Sequence, residues 1–246
     1  MKRKILLAVA IVLCLSLIAA FAVYFAVIRP KNIQQQEFQE AVARYRSEKM
    51  ERYRQENQRY EDYQVDVAFL GDSLTDGYDL DKFYPQYLVC NRGIGGDTTF
   101  DLEARLEDSV YRLKPKVAVM LIGANNLSTM FDNYENILIG LKTNLPDTEI
   151  VLLSLTNMGQ DWGKGNELAA YNNVKIQKLA QKYGFAFVDL YGPLMDLSTG
   201  EIYPEYTTDG GHLTDRGYQI LTAQITPILE ELLPSNHQKE KSVDYA

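Results

Sequence analysis

Asp209, Gly210, Gly211 and His212 form a short stretch, DGGHL with Leu213, near the end of the chain. A carboxylate that holds an imidazole in one tautomer and stabilises the imidazolium makes histidine an effective general base near neutral pH. A serine hydroxyl is a weak nucleophile until such a base takes its proton. Asp209 and His212 supply the acid–base pair from one loop, and the two intervening glycines let the backbone turn tightly enough for their side chains to meet. The chain's other histidine, His237, lies in a polar tail and is read as solvent-exposed. The nucleophile must come from elsewhere, and Ser73 in Gly71-Asp72-Ser73-Leu74 is the candidate. Attack on an ester carbonyl also needs donors aimed at the developing oxyanion. The Ser73 N–H, the N–H of a glycine in 93–96 and the Asn125 amide are candidates for that part. Asp72 is assigned a structural role, bonding local backbone.

These residues become one site only if the fold brings them together. VDVAFL (65–70), VAVMLI (117–122), IVLLSL (150–155) and FAFVDL (185–190) are short β-branched or aromatic runs without polar alternation. Such runs mark strands covered on both faces, with YLVC (87–90) as a weaker fifth. Helical patterns lie between them. One opens at Thr98 with Asp101 as a capping box and runs through Leu102, Leu106, Val110 and Leu113. A second ends at Gly184, and the last begins after Thr214 and carries Tyr218, Leu221, Ile225, Ile228, Leu229 and Leu232 on one face. Alternating strands and helices at this spacing imply a doubly wound, parallel α/β sheet. Ligands bind such sheets outside the carboxyl ends of the strands. There the chain runs into GDSL, NRGIGGDTT (91–99), GANN (123–126) and the segment TTDGGHLTDRGY, so all four are expected on one rim.

FLGDSLTDG, NRGIGGDTT, LIGANN and DGGHL resemble, in order, the four blocks of the SGNH/GDSL hydrolase family, and the likeness spans about residues 65–233. It implies a three-layer, flavodoxin-like α/β fold, serine esterase or acylhydrolase chemistry, and no metal or organic cofactor. It also implies Ser73 as nucleophile, Gly96 and Asn125 as oxyanion donors, and His212 with Asp209 as the base pair. The chain departs from the family at Ala124 and Asn126, where many members have Thr and Asp, so the hydrogen bonds around Asn125 must differ. The G-x-S-x-G elbow of α/β-hydrolases and the lysine of a phosphate-binding loop are both absent. Asp79 and Asp81 are read as solvated loop acids, with no metal site. Trp162, inside NMGQDWGKGN (157–166), is read either as a substrate platform on a specificity loop or as a side chain that pins that loop down.

Outside this domain the chain changes character. Lys2-Arg3-Lys4 precede an uncharged run from Ile5 to Ile28, which Arg29 and Lys31 follow. That run exceeds the roughly 20 residues that cross a bilayer as a helix and is too long for the core of a cleaved signal. Residues 1–31 are therefore expected to be a single-pass membrane anchor with the rest outside the cytoplasm, with a signal-peptidase site after Ala22 as the alternative. Residues 32–64, without Gly or Pro, read as a helical stalk. Its stripe of Phe38, Val42, Tyr45, Tyr53 and Tyr60 serves either self-association or packing on the domain. Residues 235–246 read as a disordered tail. The net charge of −8 leaves the part beyond residue 31 more acidic still, which argues against nucleic acid as a partner. Cys90 is the one cysteine beyond the anchor, so no intrachain disulfide is available there. The expectation is a membrane-anchored, extracytoplasmic serine esterase acting on a small-acyl ester or acylated glycan. The alternatives are an acyltransferase to a sugar hydroxyl and a non-catalytic surface-binding module.

Overall fold

The computed structural model describes residues 29–233 continuously, with the isolated positions Ser16, Phe21, Tyr24 and Ala26 before them. Those four positions apart, the expected anchor run, its signal-peptidase alternative, the 235–246 tail and His237 lie outside the described residues. Among the described residues no helix is long and apolar enough to cross a membrane. The chain divides into two units, residues 1–49 and 50–246. Helix α1 (Arg29–Asn57) runs through both, so the larger unit opens at Met50, within the 32–64 segment.

The larger unit contains a five-stranded parallel sheet in the order β2-β1-β3-β4-β5. The strands are β1 (Val67–Gly71), β2 (Val89–Gly93), β3 (Val117–Leu121), β4 (Glu149–Leu153) and β5 (Ala186–Val188). Every residue of β1 and β3 is buried, as their unbroken apolar runs require for strands covered on both faces. The order reverses between β1 and β3, and in doubly wound sheets that switch point opens the crevice in which ligands bind.

The connections are short helices: α2 (Ser73–Asp76) and α3 (Leu80–Phe83) after β1, α4 (Thr99–Ala104) after β2, and α5 (Tyr134–Asn144) after β3. Helix α6 (Asn166–Tyr183) follows β4, and α7 (Tyr191–Leu194) and α8 (Asp215–Leu232) close the chain. The Thr98–Asp101 capping box forms, but the helix it opens does not run unbroken to Leu113. It ends at Arg105, and a π-turn over Glu107–Tyr111 follows. The break falls where the Arg105 side chain turns into the core to meet backbone oxygens. Gly184 ends α6 in the left-handed conformation and Thr214 caps α8 through the Gly217 N–H.

The last turns of α1 belong to the core of this unit. Tyr53 is fully buried, and its hydroxyl donates to the Gly93 carbonyl at 2.7 Å. The guanidinium of buried Arg92 stacks 4.6 Å from the Tyr53 ring centroid, pairs with Glu56 and donates to Asn57 Oδ1. Tyr60 packs beside Val65, Ala68, Cys90 and Leu113. Of the tyrosine stripe, Tyr53 and Tyr60 therefore face the domain, and Tyr45 is exposed. Because Gly93 ends β2 and leads into the glycine-rich loop, these contacts brace one side of the rim. Tyr53→Ala is expected to cost about 3–5 kcal/mol. Tyr53→Phe, which strands the Gly93 carbonyl, costs about 1–3 kcal/mol. Denaturant melts of the full chain check both.

Candidate active site

Asp72 opens the site. It is the N-cap of α2, its Oδ1 accepting from the Leu74 N–H at 3.1 Å. This cap turns the chain sharply off β1 and leaves the Ser73 side chain half-buried at the strand end. Asp72 itself is buried, and its Oδ2 has no hydrogen-bond partner among the described residues. Burial pushes its carboxyl up to about 7, reinforced by the nearby Asp97 charge and opposed by the Leu74 N–H and His212.

The acid–base pair reaches Ser73 from the far end of the chain. His212 Nε2 lies 3.1 Å from Ser73 Oγ and His212 Nδ1 lies 2.8 Å from Asp209 Oδ2. With the Nδ1 proton directed at the carboxylate, Nε2 is the acceptor facing the hydroxyl. Asp209 Oδ1 also accepts from the backbone N–H groups of Gly211 and His212 at 2.9 and 2.8 Å. The His212 backbone N–H, then its ring, with a smaller part from Gly211, pull the Asp209 carboxyl down to about 2, so it is ionised across the neutral range. The Gly-Gly pair is thus a turn closed by the aspartate side chain. Gly210 sits at φ +87°, and a Cβ there would meet the Gly159 carbonyl oxygen at 2.2 Å, so the position tolerates glycine alone. The loop is tied to α2 as well. Tyr218, in the first turns of α8, donates from its hydroxyl to the Leu74 carbonyl at 2.9 Å and stacks on Tyr78 at 4.7 Å.

The donor side is built by contacts that motif spacing does not display. Arg105, buried, donates to Asp97 Oδ2 at 2.7 Å, to the Arg92 carbonyl at 2.9 Å and to the Gly71 carbonyl at 2.9 Å. Asp97 in turn offers its backbone carbonyl to Asn125 Nδ2 at 2.9 Å, which orients that amide and leaves its second N–H unengaged. Asp76 Oδ2 takes the Gly95 N–H at 3.0 Å. Gly96, at φ +81°, keeps an N–H with no partner among the described residues, as does Ser73. Asn126 fills the family's Asp position by donating to Thr99 Oγ1 at 2.9 Å and accepting from the Thr99 N–H. It therefore locks the β3 rim to the start of α4.

Ser73, Asn125 and His212 line one cleft together with Asp72, Leu74 and Trp162, and its volume, open mouth included, is ≈ 360 Å³. Gly96 is not among its walls; its neighbour Gly95 would place a Cβ 3.9 Å from the Ser73 Cβ. The side chains of His212 and Asp209 are each about half exposed, so water reaches the base. Among the described residues no group of three His, Cys, Asp or Glu side chains is placed to hold a metal ion. A hydroxyl, a base, an orienting carboxylate and free N–H donors on one rim suffice for acyl transfer through a covalent intermediate. Arg105, Asp76 and Tyr218 escaped sequence reading because each acts through distant backbone. The one available signal was an arginine interrupting the apolar face of the helix after GIGGDTT.

Comparison with known proteins follows the same residues. The model described as the GDSL-like Lipase/Acylhydrolase family matches residues 69–220. A Streptococcus pneumoniae structure provisionally assigned as a platelet activating factor superposes with a TM-score of 0.72 at 27% identity, covering 80% of this chain and 99% of that one. A GDSL-like lipase from Bacteroides thetaiotaomicron gives 0.67 at 25% identity, covering 75% and 98%. An acetylxylan esterase from Geobacillus stearothermophilus gives 0.56 at 22% identity, covering 68% and 95%, a likeness of fold alone. No curated protein matches.

Two outcomes are expected from these contacts. Removing the guanidinium in Arg105→Ala takes the arginine counter-charge from the buried Asp97 carboxylate and should cost about 3–5 kcal/mol of stability, measured by chemical denaturation. Asp72 ionises near 4 when unfolded but at about 7 when folded. The folded state therefore holds the extra proton in that window, and stability is full below it and falls as pH rises through it. Asp72→Asn should flatten this fall, seen as a smaller drop in melting temperature between roughly pH 4 and pH 7.

Proposed function

The chain belongs to the GDSL-like lipase/acylhydrolase family and is a hydrolase, and from that premise we propose that it is a serine esterase working on small-acyl, acetyl-like esters. The observation that carries the reading is the chain of contacts from Asp209 through His212 to Ser73, at 2.8 and 3.1 Å, opening on a cleft that Asn125 also lines. His212 takes the Ser73 proton as Oγ attacks the ester carbonyl. The N–H groups of Ser73 and Gly96 and the free Asn125 N–H stabilise the oxyanion. Collapse breaks the carbonyl–alkoxide bond, His212 returns its proton to the leaving alcohol, and the acyl group stays on Ser73. Water deprotonated by His212 then attacks the acyl-enzyme, and a second collapse frees the acid and restores the serine. Ionised Asp209 stabilises the imidazolium in both halves.

The half-exposed base supports hydrolysis over transfer to a second alcohol, because water has open access to it. A small cleft, whose ≈ 360 Å³ includes its open mouth, with no apolar lid segment over it among the described residues, supports a short acyl group. The uncharged run Ile5–Ile28 between basic flanks supports a single-pass anchor with the catalytic domain outside the cytoplasm. An ester on a cell-envelope glycan is the substrate that placement favours.

Hydrolysis of p-nitrophenyl acetate by the detergent-solubilised full chain tests the core of this reading. Ser73→Ala should abolish turnover to near background. Asn125→Ala, which removes one oxyanion donor, should lower kcat about 10²–10³-fold with little change in KM. Undiminished activity in Ser73→Ala would overturn the nucleophile assignment.

A further inference from the structure

Trp162 stands on the cleft wall beside His212, their ring centroids 6.4 Å apart with the planes nearly perpendicular. One face of the indole is occupied. A Cβ built on Gly211 would lie 3.2 Å from Cδ2, Cε2 and Nε1 alike, so the backbone of the catalytic loop packs flat against the five-membered ring. The residue is nonetheless 46% exposed and is one of the residues lining the cleft. Its Nε1–H has no partner among the described residues.

The platform is held in place. The Gly159 N–H donates to the Gly210 carbonyl at 2.9 Å and the Trp162 N–H to the Gly159 carbonyl at 3.1 Å. Asn166 brackets Met158, accepting from its N–H and donating to its carbonyl, both at 2.8 Å. Gln160 is held at φ +53°, a conformation a non-glycine residue keeps only where the surroundings enforce it. A loop so anchored lowers the backbone-ordering cost of presenting the indole on binding.

The position of Trp162 assigns it to one half of an ester. His212 must reach the leaving oxygen to protonate it, so the alcohol part of the substrate passes the imidazole, whose ring centroid lies 6.4 Å from that of Trp162. The oxyanion donors lie with Asn125, and the small acyl group belongs beside them. The flat face, the free indole donor and the charged, exposed Asp161 and Lys164 next to it suit an alcohol with an apolar C–H face and hydrated hydroxyls. We propose that Trp162 is a specificity residue that stacks on a sugar ring, so that the ester cleaved is an O-acylated carbohydrate. This deepens the esterase reading above and rests on it.

Two measurements on the full chain test the assignment. Release of acetate from a mono-O-acetylated methyl pyranoside and from ethyl acetate, which has no ring, is followed for wild type, Trp162→Ala and Trp162→Phe. Trp162→Ala should raise KM for the sugar ester roughly tenfold, the scale of one aromatic stacking contact. Its kcat/KM for ethyl acetate should fall by a clearly smaller factor than for the sugar ester, and Trp162→Phe, which keeps an aromatic ring against Gly211, should recover part of the sugar-specific loss. Trp162 is also the chain's single tryptophan, so in the Ser73→Ala background its emission should shift and saturate as the acetylated sugar is added. Equal losses on both esters, or unchanged emission at sugar concentrations that saturate turnover, would overturn the stacking role. So would a stronger Trp162 dependence for octyl acetate than for the sugar. Wild-type protein that cleaves neither ester would overturn the esterase reading itself, which separates the two failures.

Discussion

One buried guanidinium sets the geometry on which the candidate site depends. Arg105 reaches from the end of α4 to the Gly71 carbonyl at the mouth of β1, the Arg92 carbonyl in β2 and the Asp97 carboxylate in the loop beyond it. The carbonyl of that same Asp97 orients the Asn125 amide from the end of β3. Three strand ends that carry the serine, the glycine loop and the asparagine are thereby placed relative to one another by one rigid fork of donors. A buried ion pair is no more stabilising than well-packed apolar side chains of the same volume. Its use here is explained by direction: a hydrophobic core would fill the space without fixing where carbonyls and amides point.

The acid–base side is positioned differently, from the outside. Its loop enters α8, and Tyr218 carries that helix onto the turn after Ser73 through a hydrogen bond to Leu74 and a stack on Tyr78. Asp209 closes its own turn by accepting two backbone N–H groups while its second oxygen holds the imidazole. The carboxylate is therefore ionised by local bonding, without the low-dielectric burial that raises Asp72. Two aspartates on one rim are pushed in opposite directions, one held ionised beside the base and one, under the serine turn, whose ionisation burial opposes.

Much of this was legible in the sequence. Unbroken apolar runs located β1 and β3, alternation with helices implied the parallel sheet, and the rule for strand carboxyl ends grouped GDSL, GIGG, GANN and DGGH on one rim. Tertiary demands hid the rest. The helix after Thr98 breaks at Arg105, where that side chain turns inward, and a π-turn carries Leu106, Val110 and Leu113 on into the core, so the apolar periodicity persists although the α-helix does not. The larger unit opens at Met50 because Tyr53 and Asn57 bond to it, although nothing in a charged, Gly-free helix marks that point. The departure at Asn126 became intelligible only with Thr99 in view, since an amide both donates and accepts where a carboxylate only accepts.

The central claim is a covalent intermediate on one serine, and intact-protein and peptide mass spectrometry of acid-quenched turnover tests it most directly. The account predicts that protein mixed briefly with an activated acetyl ester carries one acetyl group, that the group maps to the peptide containing Ser73, and that it disappears as hydrolysis completes. Continued turnover with no acyl-protein, or an acyl group mapped to any other residue and released at the turnover rate, would contradict it.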